Sequence, residues 1–252
     1  MKYARIQYQG APRYGIIEGD DIRLMDGTPF TSYTMTETLV PISAAALLAP
    51  CEPSKGVCIG LNYRDHAEEF NLPIPAEPVV FIKPSTSLND PEAGVVYPSQ
   101  SKRLDYEAEL AIVIKKTAKN IEESEVDEYI LGYTCANDIT ARDLQPKQGQ
   151  WTVAKSFDTF MPLGPVITDE VDPNDLDIES RVNGKTLQHS NTSNLIFKTA
   201  FLVSYLSKVM TLLPGDVILT GTPGGISGMQ VGDKVDIVIE RIGTLTNTIV
   251  AP

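Results

Sequence analysis

Leu104–Lys116, LDYEAELAIVIKK, is the stretch that decides how this 252-residue chain is read. Its apolar residues recur at every second position: Tyr106, Ala108, Leu110, Ile112 and Ile114. That is the period of a β-strand with one face in a core. Glu107 and Glu109 then share the other face, about 7 Å apart along the strand. Adjacent carboxylates repel and hold each other's protons more tightly. A divalent cation between them removes that cost. Taken alone, an E-x-E on a strand is more often a solvated face than a metal site.

Working outward, a third carboxylate stands in Tyr133–Gln145, YTCANDITARDLQ. Asp138 ends an apolar stretch where a strand meets a polar turn. It reads equally as the N-cap of a helix over ITARDL. Three carboxylates make an all-oxygen set, which favours magnesium, manganese or calcium over zinc. Three protein ligands leave about half of an octahedron for water and substrate.

The flanking chain is mostly strands. KYARIQYQG and RYGIIEGDDIRLMDG alternate between Gly and Asp turns and predict a β-rich unit in the first 50 or so residues. SAAALLAP predicts a short helix stopped by Pro50, and CEPSKG a linker. VCIGLNY is a short apolar strand. Two helices are predicted, over Glu122–Leu131 and Asn194–Leu212. The first has an acidic opening turn suited to a helix dipole. The second carries Leu195, Leu202, Leu206 and Val209 on one stripe, with Ile196, Val203 and Met210 beside it, and stops at Pro214 and Gly215. KVDIVIERIGTLTNTIV closes the chain with strands. Strands and helices do not alternate in βαβ order, so the fold class is α+β, mostly β, with antiparallel or mixed sheets.

Composition narrows the function. The net charge is −12, from 33 acidic and 21 basic residues, and no Lys/Arg cluster offers a nucleic-acid surface. An anionic substrate would therefore need a local positive centre. The three cysteines, Cys51, Cys58 and Cys135, form no CxxC pair, which predicts reduced thiols and a cytoplasmic protein. MKYARIQYQG has no apolar h-region, and no run is long enough to span a bilayer.

There are two histidines. His66, in NYRDHAEEF, has Glu69 three residues on. On a helix the two share a face, so Glu69 would orient the imidazole as a base toward water or substrate. A polar, exposed segment with an incidental histidine reads the same letters. His189 lies in a polar turn and is expected at the surface or at a substrate rim. Arg142, Gln145 and Lys155 follow Asp138 closely. Trp151 precedes an apolar–polar alternation, on which an inward Lys155 would be a positive centre for a carboxylate or enolate; a surface lysine is the other reading. LTGTPGGISG is a Gly-rich turn without the lysine of a P-loop, and its Thr222 could present a hydroxyl.

Seven segments in one order, CIGLNYRDHAEE, FIKPSTSL, LDYEAELAIVI, GYTCANDITARDLQ, WTVAKSFDTFMPLGP, RVNGKTLQHSNTSNLIF and GDVILTGTPGG, resemble the fumarylacetoacetate hydrolase family over roughly residues 55–250. The resemblance implies a mixed β-roll catalytic domain (53–252) behind a small N-terminal β-rich domain (1–52), usually in a homodimer. It implies Mg2+ or Mn2+, with Ca2+ as a substitute, on Glu107, Glu109 and Asp138. It assigns substrate contact to Lys155, Arg142, Gln145 and Thr222, and water activation to the His66–Glu69 pair. Lys115-Lys116 departs from the Gly-Lys that relatives often carry after the metal strand.

The expected activity is metal-dependent hydrolysis of a C–C bond in a small 2,4-dioxo acid of the acylpyruvate type. His66 would activate the attacking water, and residues 64–76 would close as a lid. Three alternatives keep the site or the fold: oxaloacetate decarboxylation, isomerisation or decarboxylation of a 2-hydroxyhepta-2,4-diene-1,7-dioate, and a non-catalytic metal- or ligand-binding protein.

Overall fold

A computed structural model describes residues 1–65 and 73–252. One large sheet organises them. Its strands run in the order Tyr33–Pro41, Asp21–Gly27, Ala11–Glu18, Lys2–Tyr8, Met161–Thr168, Ile130–Asn137, Ala108–Ile114, Val217–Leu219, Lys55–Gly60 and Val79–Pro84. Ala46–Leu48 and Leu88–Asn89 pair off this path. A five-stranded sheet (Lys185–Asn191, Asp177–Val182, Lys234–Ile239, Gly243–Val250, Gly94–Val96) and a three-stranded one (Thr140–Ala141, Leu104–Asp105, Gly228–Met229) complete it. Most pairs are antiparallel, but Val217–Leu219 runs parallel to Lys55–Gly60, and Gly243–Val250 parallel to Gly94–Val96. The mostly β, mixed class expected from the alternation is the fold observed.

The first strand joins the sheet through Lys2 opposite Thr168 and Tyr3 opposite Ile167. The large sheet thus runs unbroken from the first 50 residues into the remainder.

Ala108–Ile114 lies near the middle of that sheet. Ala108, Leu110, Ile112 and Ile114 belong to the larger hydrophobic cluster, as the alternation predicts. Ala111 and Val113 enter a second cluster on the opposite face. The strand is therefore buried on both sides, and the solvated face is not there. Glu107 and Glu109 stand where that second apolar face gives way to carboxylates.

Three helical expectations change. Over Glu122–Leu131 only a 3-10 helix forms, at Glu123–Glu128, opened by a capping box in which Glu122 N donates to Glu125 Oε2 at 3.0 Å. From Ile130 the chain is a strand, because Ile130 pairs with Ile114. The second helix is shorter than its apolar stripe, Thr199–Val209. Leu202 and Leu206 are buried, Leu195 lies before it, and Val209 at its end is exposed. In SAAALLAP, a single 3-10 turn at Ile42–Ala44 leads into Ala46–Leu48, which pairs with Arg5, Ile6 and Gln7. Sheet pairing outweighs the modest helix preference of Ala and Leu there. The end of CEPSKG is likewise strand, and Asp216 pins it by accepting from Ser54 N at 2.9 Å and Lys55 Nζ at 2.5 Å.

Candidate active site

Backbone pairing brings the three carboxylates together. Ala108 stands opposite Asn137, so Glu107 and Asp138 are neighbours just beyond the paired residues. Asp138 N donates to Glu107 O at 3.0 Å, and Glu107 N donates to Asn137 Oδ1 at 3.0 Å. Glu109 lies one pleat further along the same face. One oxygen from each of Glu107, Glu109 and Asp138 falls within 4.8 Å of the others. Glu107 is 6% exposed, Glu109 2% and Asp138 0%. Asp138 caps no helix; its carboxylate faces cations.

Those cations are lysines and an arginine. Lys155 Nζ bridges Glu107 Oε2 at 2.8 Å and Asp138 Oδ2 at 2.6 Å. Lys83 Nζ donates to Asp138 Oδ1 at 2.5 Å and to Ile139 O at 3.0 Å. Arg142 donates to Glu107 Oε1, to Gln145 Oε1 and, at 2.8 Å, to Asp105 Oδ2. Thr140 Oγ1 also donates to Glu107 Oε1, at 3.2 Å. Arg103 closes the set through Nε to Asp105 Oδ1 at 2.8 Å.

The proton affinities follow from this layout. Burial alone would raise Glu107, but Lys155 and Arg142 outweigh it and bring its carboxyl down to about 2. Burial works against the charge on Lys155; Asp138 and Glu107 more than offset it, so the ammonium holds its proton more tightly than usual. Glu109 goes the other way. Burial, then the charges of Asp138 and Glu107, push its carboxyl well above the ordinary range. It accepts Gly221 N at 2.7 Å, and no Lys or Arg among the described residues forms an ion pair with it. A buried carboxylate short of positive charge, beside two others, is what a hard divalent cation relieves. The residues present fit a hard divalent cation.

The centre forms part of the lining of a cleft of about 730 Å3. Ile59, Leu61, Phe81, Trp151 and Ile226 form its apolar wall, while Arg103, Arg142, Gln145, Lys147, Lys155 and Thr222 supply polar groups. Lys155 ends a one-turn helix, Thr152–Lys155, and not a strand as the alternation after Trp151 predicts. The Trp151 ring packs edge-on against Phe81 at 5.3 Å and sits over Gly60, where a Cβ would come within 2.6 Å of it. Thr222 Oγ1 accepts Gln188 Nε2 at 2.8 Å, and Gln188 Oε1 accepts Ala108 N at 3.0 Å. Gln188 therefore ties the Gly-Thr-Pro loop to the carboxylate strand.

His66 and Glu69, and most of the lid expected over 64–76, lie outside the described residues. His189 is at the surface, with Nε2 3.8 Å from Glu179. The three cysteines are buried and free. Sequence reasoning missed Lys83, Asp105 and Gln188. For Lys83 a signal existed: it is a lone cation inside the apolar run VVFIKP, and a charge buried in such a run needs a partner.

Fold and site together define a mostly β protein with a buried acidic centre, suited to a hard divalent cation, at a cleft lined by cations. Residues 55–250 match the family model described as "Fumarylacetoacetate (FAA) hydrolase C-terminal", and residues 1–50 match one described as "Rv2993c-like, N-terminal". The chain belongs to the fumarylacetoacetate hydrolase family. It is 56% identical over 211 residues to an uncharacterized protein of Archaeoglobus fulgidus, covering 84% of each chain. It is 42% identical over 224 residues to a mitochondrial oxaloacetate tautomerase of Rattus norvegicus, covering 84% of this chain and 72% of that one. Among solved structures, a 2-hydroxyhepta-2,4-diene-1,7-dioate isomerase from Mycobacterium marinum superimposes with a TM-score of 0.92 at 41% identity. That match covers 100% of this chain and 98% of the other. No helix among the described residues is long and apolar enough to cross a membrane.

Proposed function

We propose that the protein is a divalent-cation-dependent enzyme that moves a proton on the carbon next to the oxo group of a small 2-oxo acid, interconverting keto and enol forms. The observation that carries this is the buried triad Glu107, Glu109 and Asp138, clustered within 4.8 Å in a cleft that also presents Arg142 and Lys155. Relatives at 41–42% identity bear the names of an oxaloacetate tautomerase and a dienedioate isomerase, which supports proton transfer without bond cleavage.

Glu107, Glu109 and Asp138 would hold Mg2+ or Mn2+. When bound, the cation supplies Lewis acidity toward a chelating carboxylate and oxo group. Lys155, held protonated by Asp138 and Glu107, serves as a donor where negative charge develops. Arg142, fixed by Asp105 and Glu107, and Gln145, fixed by Arg142, orient the substrate's polar end. The proton is taken by His66, with Glu69 orienting the ring, on the strength of their sequence spacing.

The same spacing favours a second reading, hydrolysis of an acylpyruvate. There His66 would deprotonate a water that attacks the distal carbonyl, giving pyruvate and a carboxylic acid. A panel of oxaloacetate, acetylpyruvate and a hydroxymuconate-type dienoate, each with magnesium or manganese and followed by absorbance, separates the readings. Loss of enol absorbance from oxaloacetate is expected. Faster consumption of acetylpyruvate would transfer the assignment to hydrolysis, and turnover of none would remove both. His66→Ala should leave cation binding intact and slow turnover by about 10²-fold; an unchanged rate would take His66 out of the mechanism. We also propose a homodimer, on the family resemblance. A solution mass near the single-chain 27.5 kDa would refute it.

A further inference from the structure

Gln188 has no place in the chemistry above, yet it is 1% exposed and reaches into the site from another sheet. It stands on Lys185–Asn191 of the five-stranded sheet. Ser180 lies opposite Gln188 and Arg181 opposite Thr186, so Leu187 is an extra, bulged residue. A bulge re-aims the side chain beside it. Here the amide enters between the carboxylate strand and the Gly-Thr-Pro loop. Oε1 accepts Ala108 N at 3.0 Å, and Nε2 donates to Thr222 Oγ1 and to Pro223 O, both at 2.8 Å. Both partners border the acidic centre. Ala108 separates Glu107 from Glu109, and Gly221, next to Thr222, donates its N–H to Glu109 at 2.7 Å. Tyr106 Oη holds the loop to the same strand by donating to Gly225 O at 2.8 Å.

The outer partners fix the direction of these bonds. A backbone N–H only donates and a backbone carbonyl only accepts. Ala108 N–H therefore requires the amide oxygen, and Pro223 O requires the amide nitrogen. Thr222 Oγ1 faces that same nitrogen, so it must accept. Its own proton is left to donate elsewhere, and among the described residues Thr222 Oγ1 donates to none. Thr222 lines the cleft and is only 7% exposed. A nearly buried hydroxyl proton needs an acceptor. An anion seated beside the acidic centre supplies one.

We infer that Gln188 is a positioning residue: by donating to Thr222 Oγ1, it commits that hydroxyl to donate in turn to an oxygen of the bound anion. Thr222 touches the ligand, and Gln188 acts through it. This rests on the 2-oxo-acid reading above and adds the group that sets the polarity of the substrate-facing hydroxyl.

The test is calorimetry on the full chain, with Mn2+ alone and then, on the Mn2+-loaded protein, with oxalate, a chelating anion that has no carbon-bound proton to move. Thr222→Val should weaken oxalate about tenfold, the loss of one hydrogen bond to a charged group. Gln188→Met should give the same loss. The double variant should lie within about twofold of either single one, because both changes remove the same bond. Mn2+ affinity should move by less than about twofold in all three. A glutamine with only a structural role would lower Mn2+ affinity too, or would multiply the Thr222→Val loss to about a hundredfold. Either result would overturn the inference and leave the 2-oxo-acid reading standing, as would wild-type oxalate affinity in Thr222→Val. Should Gln188→Met fail to fold, Gln188→Glu replaces it. That variant still accepts Ala108 N but captures the Thr222 proton, so the same loss is expected, and retained oxalate affinity would overturn the inference. Wild-type protein that binds Mn2+ but no oxalate would overturn both.

Discussion

Glu109→Gln replaces a carboxyl that can ionise with a neutral amide and removes almost no volume from the centre of the site. In the wild type that carboxylate is 2% exposed, with Asp138 and Glu107 oxygens within 4.8 Å. At that separation and an effective dielectric of about 20, each like-charge repulsion is about 3.5 kcal/mol. Lys155 lies on both neighbours and cancels much of this. Desolvation of the buried carboxylate adds a penalty of a few kcal/mol. Against these stands the weakening of the Gly221 N–H bond, about 1 kcal/mol once its acceptor is uncharged. The cation-free variant should therefore be more stable than the wild type by about 1–3 kcal/mol, or roughly 2–10 °C in Tm for a chain of this size. The order inverts with a divalent cation. At one thousand times its Kd, the cation adds about 4.1 kcal/mol to the wild type and little to a variant lacking a ligand. The pH dependence has a definite sign. A folded-state carboxyl raised above its unfolded value contributes stability that is present below the unfolded value, near 4.5, and is lost as pH rises. Cation-free wild type should accordingly lose stability above about pH 4.5 relative to Glu109→Gln. Thermal melts in EDTA, repeated across pH and with added Mn2+, read all three effects. A variant that melts lower in EDTA, yet is still stabilised by Mn2+, would refute both the crowding of charge and the ligand role.

Other substitutions probe neighbouring features. Lys155→Met strips the shared cation from Glu107 and Asp138 and should cost about 3–5 kcal/mol in cation-free protein by urea unfolding. It should also flatten the acid limb: in the wild type Glu107 contributes stability above its ordinary 4.5 that is lost as pH falls toward 2. An unchanged acid limb would mean that Lys155 does not set the Glu107 charge. Gly221→Ala, at φ +103° and with its Cβ 2.8 Å from Asn62 Cβ, should cost about 2 kcal/mol or more and displace the N–H on Glu109. Wild-type stability in that variant would argue against the tight turn.

The strand carrying the two glutamates was readable because its alternation is long and its charges fall on one parity. What one strand cannot announce is a second core behind it, so the burial of Ala111 and Val113 came only with the folded sheet. Asp138 was ambiguous between a cap and a site until pairing set it beside Glu107. Lys83 and Gln188 are distant in sequence from what they touch, by 55 and 80 residues. Local spacing carries no trace of such contacts. The errors over Ser43–Pro50 and Glu122–Leu131 share one cause: Ala, Leu and an acidic first turn favour a helix locally, and neighbouring strands offered better pairing. His66 and Glu69 remain a sequence motif.

The double burial of Ala108–Ile114 divides the molecule by tolerance to change. Along that strand, every residue past Glu109 answers to one core or the other, so mutational drift there is met by lost packing on whichever side it falls. The exposed run from Pro146 to Gln150 answers to neither, yet it borders the same cleft. New substrate preferences can accumulate on that rim while the acidic centre is held constant from behind, which makes it the natural target for a library that aims to change what the protein accepts.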